Sequence, residues 1–351
     1  MTVGSITPIM IATTITLTPS RAISTIRLMS NQTPPQFNYG GQAVIEGVMM
    51  RGSKSFAVAV RDPNGEIVTH SEPLNSDFYG GWVMRVPFLR GLTLLWDALG
   101  LGTKSLMFSA QVAIPEEEKE EAGAIFSGPA QTGLVLLSLS MAIGLFFVLP
   151  AFLSKQIPAW LGWDLAPVVI NLLEGAIRLS LLIGYIWAIG LMPDVKRLYG
   201  YHGAEHKTIN AYEAGAELTP ASVARFPIEH PRCGTAFLLT VVLLSIILFT
   251  LLPPVFTTNI LVRIVSRVLF IPVIAGIGYE FIRFTARHQK NPLIRLISKP
   301  NLALQRLTTR EPDEGMLAVA IVAFQQVLAT EFEVAKAGDS LPLQEAPNYT
   351  N

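Results

Sequence analysis

The sequence has little charge, no excess of either sign and almost no cysteine. Only 15% of its 351 residues are charged, and 26 Lys and Arg balance 26 Asp and Glu. A chain with no net positive charge has no overall field to gather nucleic acid on its surface, so no nucleic-acid partner is expected. The single cysteine, Cys233, excludes an intramolecular disulfide and suits a reducing compartment.

The chain is rich in hydrophobic residues, which make up half of it. Four apolar stretches are each long enough to cross a hydrocarbon core of about 30 Å as a helix. They lie at residues 130–153, 168–192, 236–256 and 260–282. The sequence therefore predicts an α-helical polytopic membrane protein with about four transmembrane helices, embedded in a lipid bilayer.

Several charged residues interrupt these stretches. Because charge in hydrocarbon is costly, they are expected to face inward and pair, within a helix or between helices, as a structural contact rather than an ion relay. Two pairs have helical spacing, Glu174 with Arg178 and Glu280 with Arg283. The fourth stretch also begins with Arg263 and Arg267, whose long side chains could reach the membrane interface.

Basic residues predict the orientation of the helices. They are frequent in the connection 193–235 and after Phe281, whereas the connection between the first two stretches has only Lys155. Under the positive-inside rule, the connection 193–235 and both termini are therefore expected in the cytoplasm. The basic residues in question are Lys196, Arg197, Lys207, Arg225, Arg232, Arg283, Arg287, Lys290, Arg295, Lys299, Arg306 and Arg310.

A small β-rich module is predicted at residues 36–82, ahead of the membrane region. Its runs are short, β-branched and broken by glycine, which is typical of strands. Asp62-Pro63-Asn64-Gly65 separates Phe56–Arg61 from Glu66–Ser71. Proline presets one turn dihedral and Asn-Gly tolerates positive φ, so this segment predicts a hairpin. By the same charge argument, the module faces the cytoplasm.

The remaining segments have simpler interpretations. Residues 83–125 read as an amphipathic helix to about residue 113, on the bilayer surface or packed on the bundle, followed by an acidic linker. Residues 283–335 read as cytoplasmic helices, the last with Pro312 near its start. Residues 336–351 and 1–35 are expected to be disordered; the latter could also be a mis-annotated extension, with translation starting at Met29.

One motif capable of chemistry is Tyr201-His202-Gly203-Ala204-Glu205-His206-Lys207, which contains H-x-x-E-H. If the segment is helical, residues three and four apart share a face, so His202, Glu205 and His206 point the same way. H-x-x-E-H is also the inverted zincin pattern, in which two histidines bind zinc and the glutamate acts on the attacking water. Gly203 weakens the helix and lowers the specificity of the match.

A second motif, His230-Pro231-Arg232-Cys233, places two metal-binding side chains three residues apart, as in a zinc knuckle. His202, His206, His230 and Cys233 together would bind Zn²⁺, and omission of any one would leave a position for water. Glu205 would then act as the general base. Two alternatives stay open: these are ordinary polar residues at helix ends, or Cys233 is a nucleophile beside Arg232.

Four strings carry a resemblance to a known family: GGQAVIEGVMMRG at 40–52, YHGAEHK at 201–207, HPRCGT at 230–235 and LQRLTTREPD at 304–313. From about residue 38 to about residue 325, the chain resembles the YqhQ-like family, a bacterial domain of unknown function. The resemblance implies a multi-pass protein of the bacterial cytoplasmic membrane that is a predicted metal-dependent enzyme with no assigned reaction. The motifs behind that description include His202, Glu205, His206, His230 and Cys233.

These patterns lead to two main functional hypotheses. The first is a membrane-embedded zinc hydrolase with a site that faces the cytoplasm and acts on a membrane protein, a lipid or a small amphiphile. The second is a non-enzymatic assembly or scaffold protein with a structural zinc site. A transporter that uses the buried Glu/Arg pairs is less well supported, since no internal repeat is visible. Glu46 and Arg51 of the β module could approach the metal site, or their neighbouring glycines could simply permit a bend.

Overall fold

The computed structural model describes residues 39–74, 86–115, 117, 128–252 and 259–338. The predictions for residues 1–35 and for almost all of the acidic linker lie outside these ranges. Of the predicted tail at 336–351, residues 336–338 form the end of a helix and the others also lie outside.

The β-rich module is a four-stranded antiparallel sheet with its strands in sequence order. The strands are β1 (Gly40–Val44), β2 (Gly47–Arg51), β3 (Ser55–Arg61) and β4 (Ile67–Pro73). Arg61 pairs with Ile67 across the predicted hairpin, and Gly65 takes the positive φ of 89° that the turn requires. The predicted sheet and hairpin are confirmed.

The rest of the described chain is mainly helical. A π-helical turn at Gly144–Val148 joins the second and third helices. The helices are α1 (Leu89–Ala113), α2 (Gly128–Ile143), α3 (Leu149–Leu161), α4 (Pro167–Ile189), α5 (Pro193–Glu213), α6 (Pro220–Val223), α7 (Gly234–Leu251), α8 (Ile260–Leu269), α9 (Ile271–Arg287), α10 (Pro292–Thr308) and α11 (Glu314–Gly338).

Among the described residues, three helical segments are long and apolar enough to cross a membrane: Thr132–Leu161, α4 and α7. The pair α8 and α9, bent by 41°, would make a fourth. The bend falls where Pro272 enters the helix, and proline cannot donate the backbone hydrogen bond that a straight helix needs. The three or four apolar helices are thus compatible with a membrane protein.

Two predicted boundaries differ from the structure. The first apolar helix continues past residue 153 to Leu161, so Lys155 lies within a helix and not in a connection. The connection 193–235 begins with the 21 residues of α5. Polar side chains suggested a loop in both places, but each segment packs against protein: Ser154 is fully buried and donates to the Ala151 carbonyl.

The sheet is covered on both faces, which explains why its strands lack a clean alternation of polar and apolar residues. On one face, the side chains of Val48, Met50 and Ala57 pack with buried residues of α5 and α11. On the other, Met49 and Val58 pack against α1. The amphipathic helix was expected either on the bilayer surface or packed on the helical bundle. Helix α1 packs on protein, and it contacts the sheet as well as the helices.

A cluster of buried charge links four of the apolar segments. Glu174 on α4 accepts hydrogen bonds from Arg178 at 2.6 Å, from Arg263 at 2.6 Å and from Arg267 at 3.0 Å. The three arginines are at most 1% exposed. The expected pairing of Glu174 with Arg178 is confirmed, and the suggestion that Arg263 and Arg267 reach the interface is wrong. Burying these arginines is costly, and the carboxylate of Glu174 offsets part of that cost by pairing with all three.

Glu280, the acid of the second predicted pair, forms its ion pair between helices. Its partner is Arg90 at the start of α1 and not Arg283, one turn away. Arg90 Nε donates to Oε1 at 2.6 Å, and Arg90 Nη2 donates to Oε2 at 2.5 Å. This two-pronged geometry is the strongest arrangement for an arginine and a carboxylate. It joins α1 to α9.

Candidate metal centre

Helix α5 carries the first two candidate ligands, His202 and His206, one turn apart. The helix forms despite its polar sequence because Ala204 and Ile209 are buried against the sheet and α11. Gly203 has a specific reason to be glycine: a Cβ there would lie 2.2 Å from the Arg310 carbonyl oxygen. The residue that weakens the helix therefore permits close approach of the connection between α10 and α11.

Cys233 enters the same space from the N-terminus of α7. It is the N-cap residue, and its Sγ accepts a hydrogen bond from the Thr235 N–H at 3.4 Å. A helix N-terminus accommodates negative charge well. The distance from Sγ to His202 Nε2 is 3.1 Å, and ligand atoms of His202, His206 and Cys233 all lie within 4.8 Å of one another.

Two backbone carbonyls fix the orientation of the imidazoles. His202 Nδ1 lies 2.8 Å from the Thr308 carbonyl oxygen, and His206 Nδ1 lies 2.5 Å from that of Ile228. Because a carbonyl only accepts, each Nδ1 must carry the hydrogen, which leaves a lone pair on each Nε2. Histidines that bind metals are usually held in this way.

The donor atoms fit a zinc ion. His206 is fully buried, and its Nε2 has no hydrogen-bond partner, although a buried polar atom normally has one. Zinc binds imidazole nitrogen and thiolate sulfur at about 2.0–2.3 Å, so its ligand atoms lie roughly 3–4 Å apart. Two nitrogens and one sulfur suit zinc better than calcium or magnesium, which prefer oxygen.

His230 lies beside this group but not within it. Its ring centroid is 5.6 Å from that of His206. Its Nε2 faces Arg232 at 3.3 Å and Glu213 at 4.0 Å, and burial lowers the pKa of its imidazole. The structure thus brings together three of the four predicted ligands.

Glu205 also lies outside the ligand group, although it is close enough to interact electrostatically with His202. Successive residues of a helix turn by about 100°, so Glu205 projects roughly 60° from His202 and 100° from His206. Its carboxylate accepts a hydrogen bond from the Gly41 N–H of β1, while Oε2 is buried without a partner. Burial raises the pKa of this carboxyl to about 7. The expectation that all three side chains of H-x-x-E-H point the same way holds for the two histidines only.

Gln305 on α10 is a positioning residue that the motif analysis did not select. Its Oε1 accepts from the His230 N–H at 2.9 Å, and its Nε2 donates to the His230 carbonyl at 2.8 Å. These two bonds fix the segment that leads to Cys233. The sequence signal for Gln305 was its place in the string LQRLTTREPD at 304–313. The same string contains Thr308, whose carbonyl orients His202.

Replacing Gln305 with leucine should therefore weaken zinc binding without removing a ligand. Loss of a residue that orients metal ligands typically lowers affinity by about 10–100-fold, and the buried His230 N–H would lose its partner. Competition with a chelator would measure this affinity. The control is Gln326→Leu on α11, which removes an amide bonded to Ser71 of the sheet. Equal affinity losses in the two variants would contradict the assigned role.

The β module does contact the candidate metal helix, through Glu46. Both oxygens of this carboxylate bond Arg197 at 2.6 Å, and one also accepts from the Tyr201 hydroxyl at 3.2 Å. Hydrogen bonding to Arg197 lowers the pKa of Glu46. Glu46 takes a positive φ of 51° in the turn between β1 and β2. Arg51, in contrast, faces Asp97 on α1 at 3.6 Å.

Fold and site together define a class: a mainly helical protein with three or four apolar helices of membrane-spanning length, and with a His/His/Cys cluster between a sheet-bound helix and one of those apolar helices. Residues 86–330 match the family described as a protein of unknown function (DUF1385). The chain is also 33% identical over 314 residues to the uncharacterized protein YqhQ of Bacillus subtilis (strain 168), covering 87% of this chain and 96% of that protein. The chain belongs to this family, as the four strings predicted. No solved structure matches it.

Proposed function

We propose that this protein is a membrane-embedded, zinc-dependent hydrolase whose metal ligands are His202, His206 and Cys233. The observation that carries the proposal is that one ligand atom from each of His202, His206 and Cys233 lies within 4.8 Å of the others. His206 Nε2 is in addition buried without a hydrogen-bond partner. Catalytic zinc sites commonly have three protein ligands and an open position, whereas structural sites have four. His230 outside the group favours the open arrangement.

The proposed location is the bacterial cytoplasmic membrane, with both termini and the metal site on the cytoplasmic side. Three or four apolar helices of sufficient length support insertion. The basic residues of α5, α9 and α10 support the orientation. The substrate would then be a membrane protein, a lipid or a small amphiphile that reaches the site from the cytoplasmic face of the bilayer.

A zinc ion held here would supply Lewis-acid activation of water or of a carbonyl group. The residues of the chain provide the rest. The Thr308 and Ile228 carbonyls hold both imidazoles in the tautomer that binds metal. The Gly41 N–H holds one oxygen of Glu205, and the unpartnered Oε2 could accept a proton. In this scheme Glu205 is the general base and not a ligand.

A structural zinc site in an assembly or scaffold protein is the second candidate, and burial favours it. His206 is fully buried and Cys233 is 7% exposed, which leaves little access for a substrate. A shift of His230 toward the group would complete a closed four-ligand site. X-ray absorption on the zinc-loaded full chain distinguishes the two by the number of imidazoles around the ion, which their multiple scattering reports. Two imidazoles and one sulfur support the hydrolase, and three imidazoles and one sulfur support the structural site.

Replacing Glu205 with glutamine should stop hydrolysis while zinc stays bound. A positioned general base contributes about 10²–10⁴-fold to rate, so hydrolysis of the probe p-nitrophenyl acetate by the zinc-loaded protein should fall by about 100-fold or more. Glu217→Gln, a change in the connection after α5, is the matched control. Loss of zinc from the Glu205 variant would show that Glu205 is a ligand, and an unchanged rate would remove it from the mechanism.

A further inference from the structure

A second polar site lies far along the chain from the histidine cluster, at the junction of α1 and α9. It is a cavity of about 170 Å³. At about 30 Å³ per water, the cavity has room for a group the size of a phosphate. It is lined by Arg90, Glu280, Arg283, Phe284, Arg287 and His288.

The lining carries an excess of positive charge. Three arginines and one glutamate give a net charge of +2 when the histidine is neutral. Glu280 is bonded by both prongs of Arg90, and the other two arginines of the lining are Arg283 and Arg287. These two are four residues apart on α9 and lie on one face of the helix. Arginine binds phosphate oxygens in the same two-pronged manner as carboxylates.

Exposed apolar side chains border the charged cavity. Phe284, part of its lining, is 52% exposed, and Phe88 and Leu89 at the start of α1 are 52% and 41% exposed. A site for free phosphate gains nothing from these neighbours. A phospholipid has both a phosphate and hydrocarbon chains, so it satisfies the charge and covers the apolar surface. Basic pockets beside membrane helices are typical sites for anionic headgroups.

We propose that this cavity binds the phosphate of an anionic phospholipid, with Arg283 and Arg287 as the principal contacts and the acyl chains against Phe284 and Phe88. His288 donates from Nδ1 to the Phe284 carbonyl at 2.8 Å and so presents Nε2 to the outside. The inference rests on the proposed membrane insertion and not on the metal site. The lipid would hold the start of α1 against the end of α9.

Titration of the detergent-purified full chain with phosphatidylglycerol, followed by native mass spectrometry, tests the proposal. Removing both charges in Arg283→Gln/Arg287→Gln should weaken lipid binding by about tenfold or more, since charge-assisted bonds to phosphate are lost. The control Arg295→Gln/Lys299→Gln removes two exposed charges of α10 outside the cavity and should change binding at most about twofold. The single variant Arg287→Gln, at an exposed residue, should give a partial loss if the double variant folds poorly.

Three results would overturn the proposal. Equal weakening in the control variant would indicate diffuse surface charge. Equally tight binding of phosphatidylcholine, which is neutral, would remove the role of the excess charge. Displacement of the lipid by inorganic phosphate at the same concentration would make the cavity a free-phosphate site. Carbonate extraction of membranes tests insertion separately, so failure of the lipid site and failure of insertion are distinguishable.

Discussion

Replacing His206 with alanine is expected to lower the zinc content of the purified protein from about one ion per chain to nearly none. Of the three proposed ligands, His206 is the fully buried one whose Nε2 has no partner, and its tautomer is fixed by the Ile228 carbonyl. Its loss leaves two ligands, too few to retain zinc against a chelator. Metal analysis of the detergent-purified chain gives the stoichiometry directly.

The matched control is His70→Ala, which removes a histidine of β4 bonded to Glu72 on the sheet. This variant should keep its zinc. His230→Ala is informative as well, because His230 lies outside the three-ligand group: retained zinc supports the open site, and lost zinc supports the closed one. Full zinc content in His206→Ala would refute the proposed metal centre.

Replacing Glu174 with glutamine is expected to destabilise the protein by about 3–5 kcal/mol, the usual cost of removing one partner from a buried ion pair. The change would leave Arg178, Arg263 and Arg267 buried together, with a total charge of +3 and no carboxylate. Other contacts cannot replace it, since they are neutral: Arg178 bonds the Phe146 carbonyl of the π-helical turn and Ser245, and Arg267 bonds Asn171.

Unfolding in mixed micelles with increasing SDS would measure this loss of stability. Glu280→Gln is the control, because its ion pair with Arg90 is about 20% exposed, so water can solvate the arginine left behind and the loss should be smaller. Glu174→Asp keeps the charge but shortens the side chain, and should fall between the two. If Glu174→Gln and Glu280→Gln unfold alike, the buried cluster is not what holds α4 and α8 together.

The sequence identified the apolar helices and the sheet because both depend on local pattern. Apolar runs of sufficient length, such as 168–192, predicted α4 within a few residues. The Asp62-Pro63-Asn64-Gly65 turn predicted the β3–β4 hairpin. Both signals are contained in a few consecutive residues, so no knowledge of distant contacts was needed.

The candidate site was predicted less completely. Spacing correctly placed His202 and His206 together, since i and i+4 share a helix face, and the short connection that holds both motifs also contains Cys233. Spacing could not show that Glu205 turns toward Gly41 on β1 or that His230 turns toward Glu213. Those directions depend on what each side chain meets, and the partners come from other parts of the chain.

By itself, the sequence determined the long apolar helices, the strands and the side chains that could bind a metal, because hydrophobic pattern and donor chemistry are properties of short stretches. Only the tertiary structure decided which of those donors meet, that Gln305 and Thr308 orient them, and that one carboxylate receives three arginines. Hydrogen bonds and ion pairs between residues some 75 to 106 positions apart have no local signature, since their geometry exists only once the helices pack.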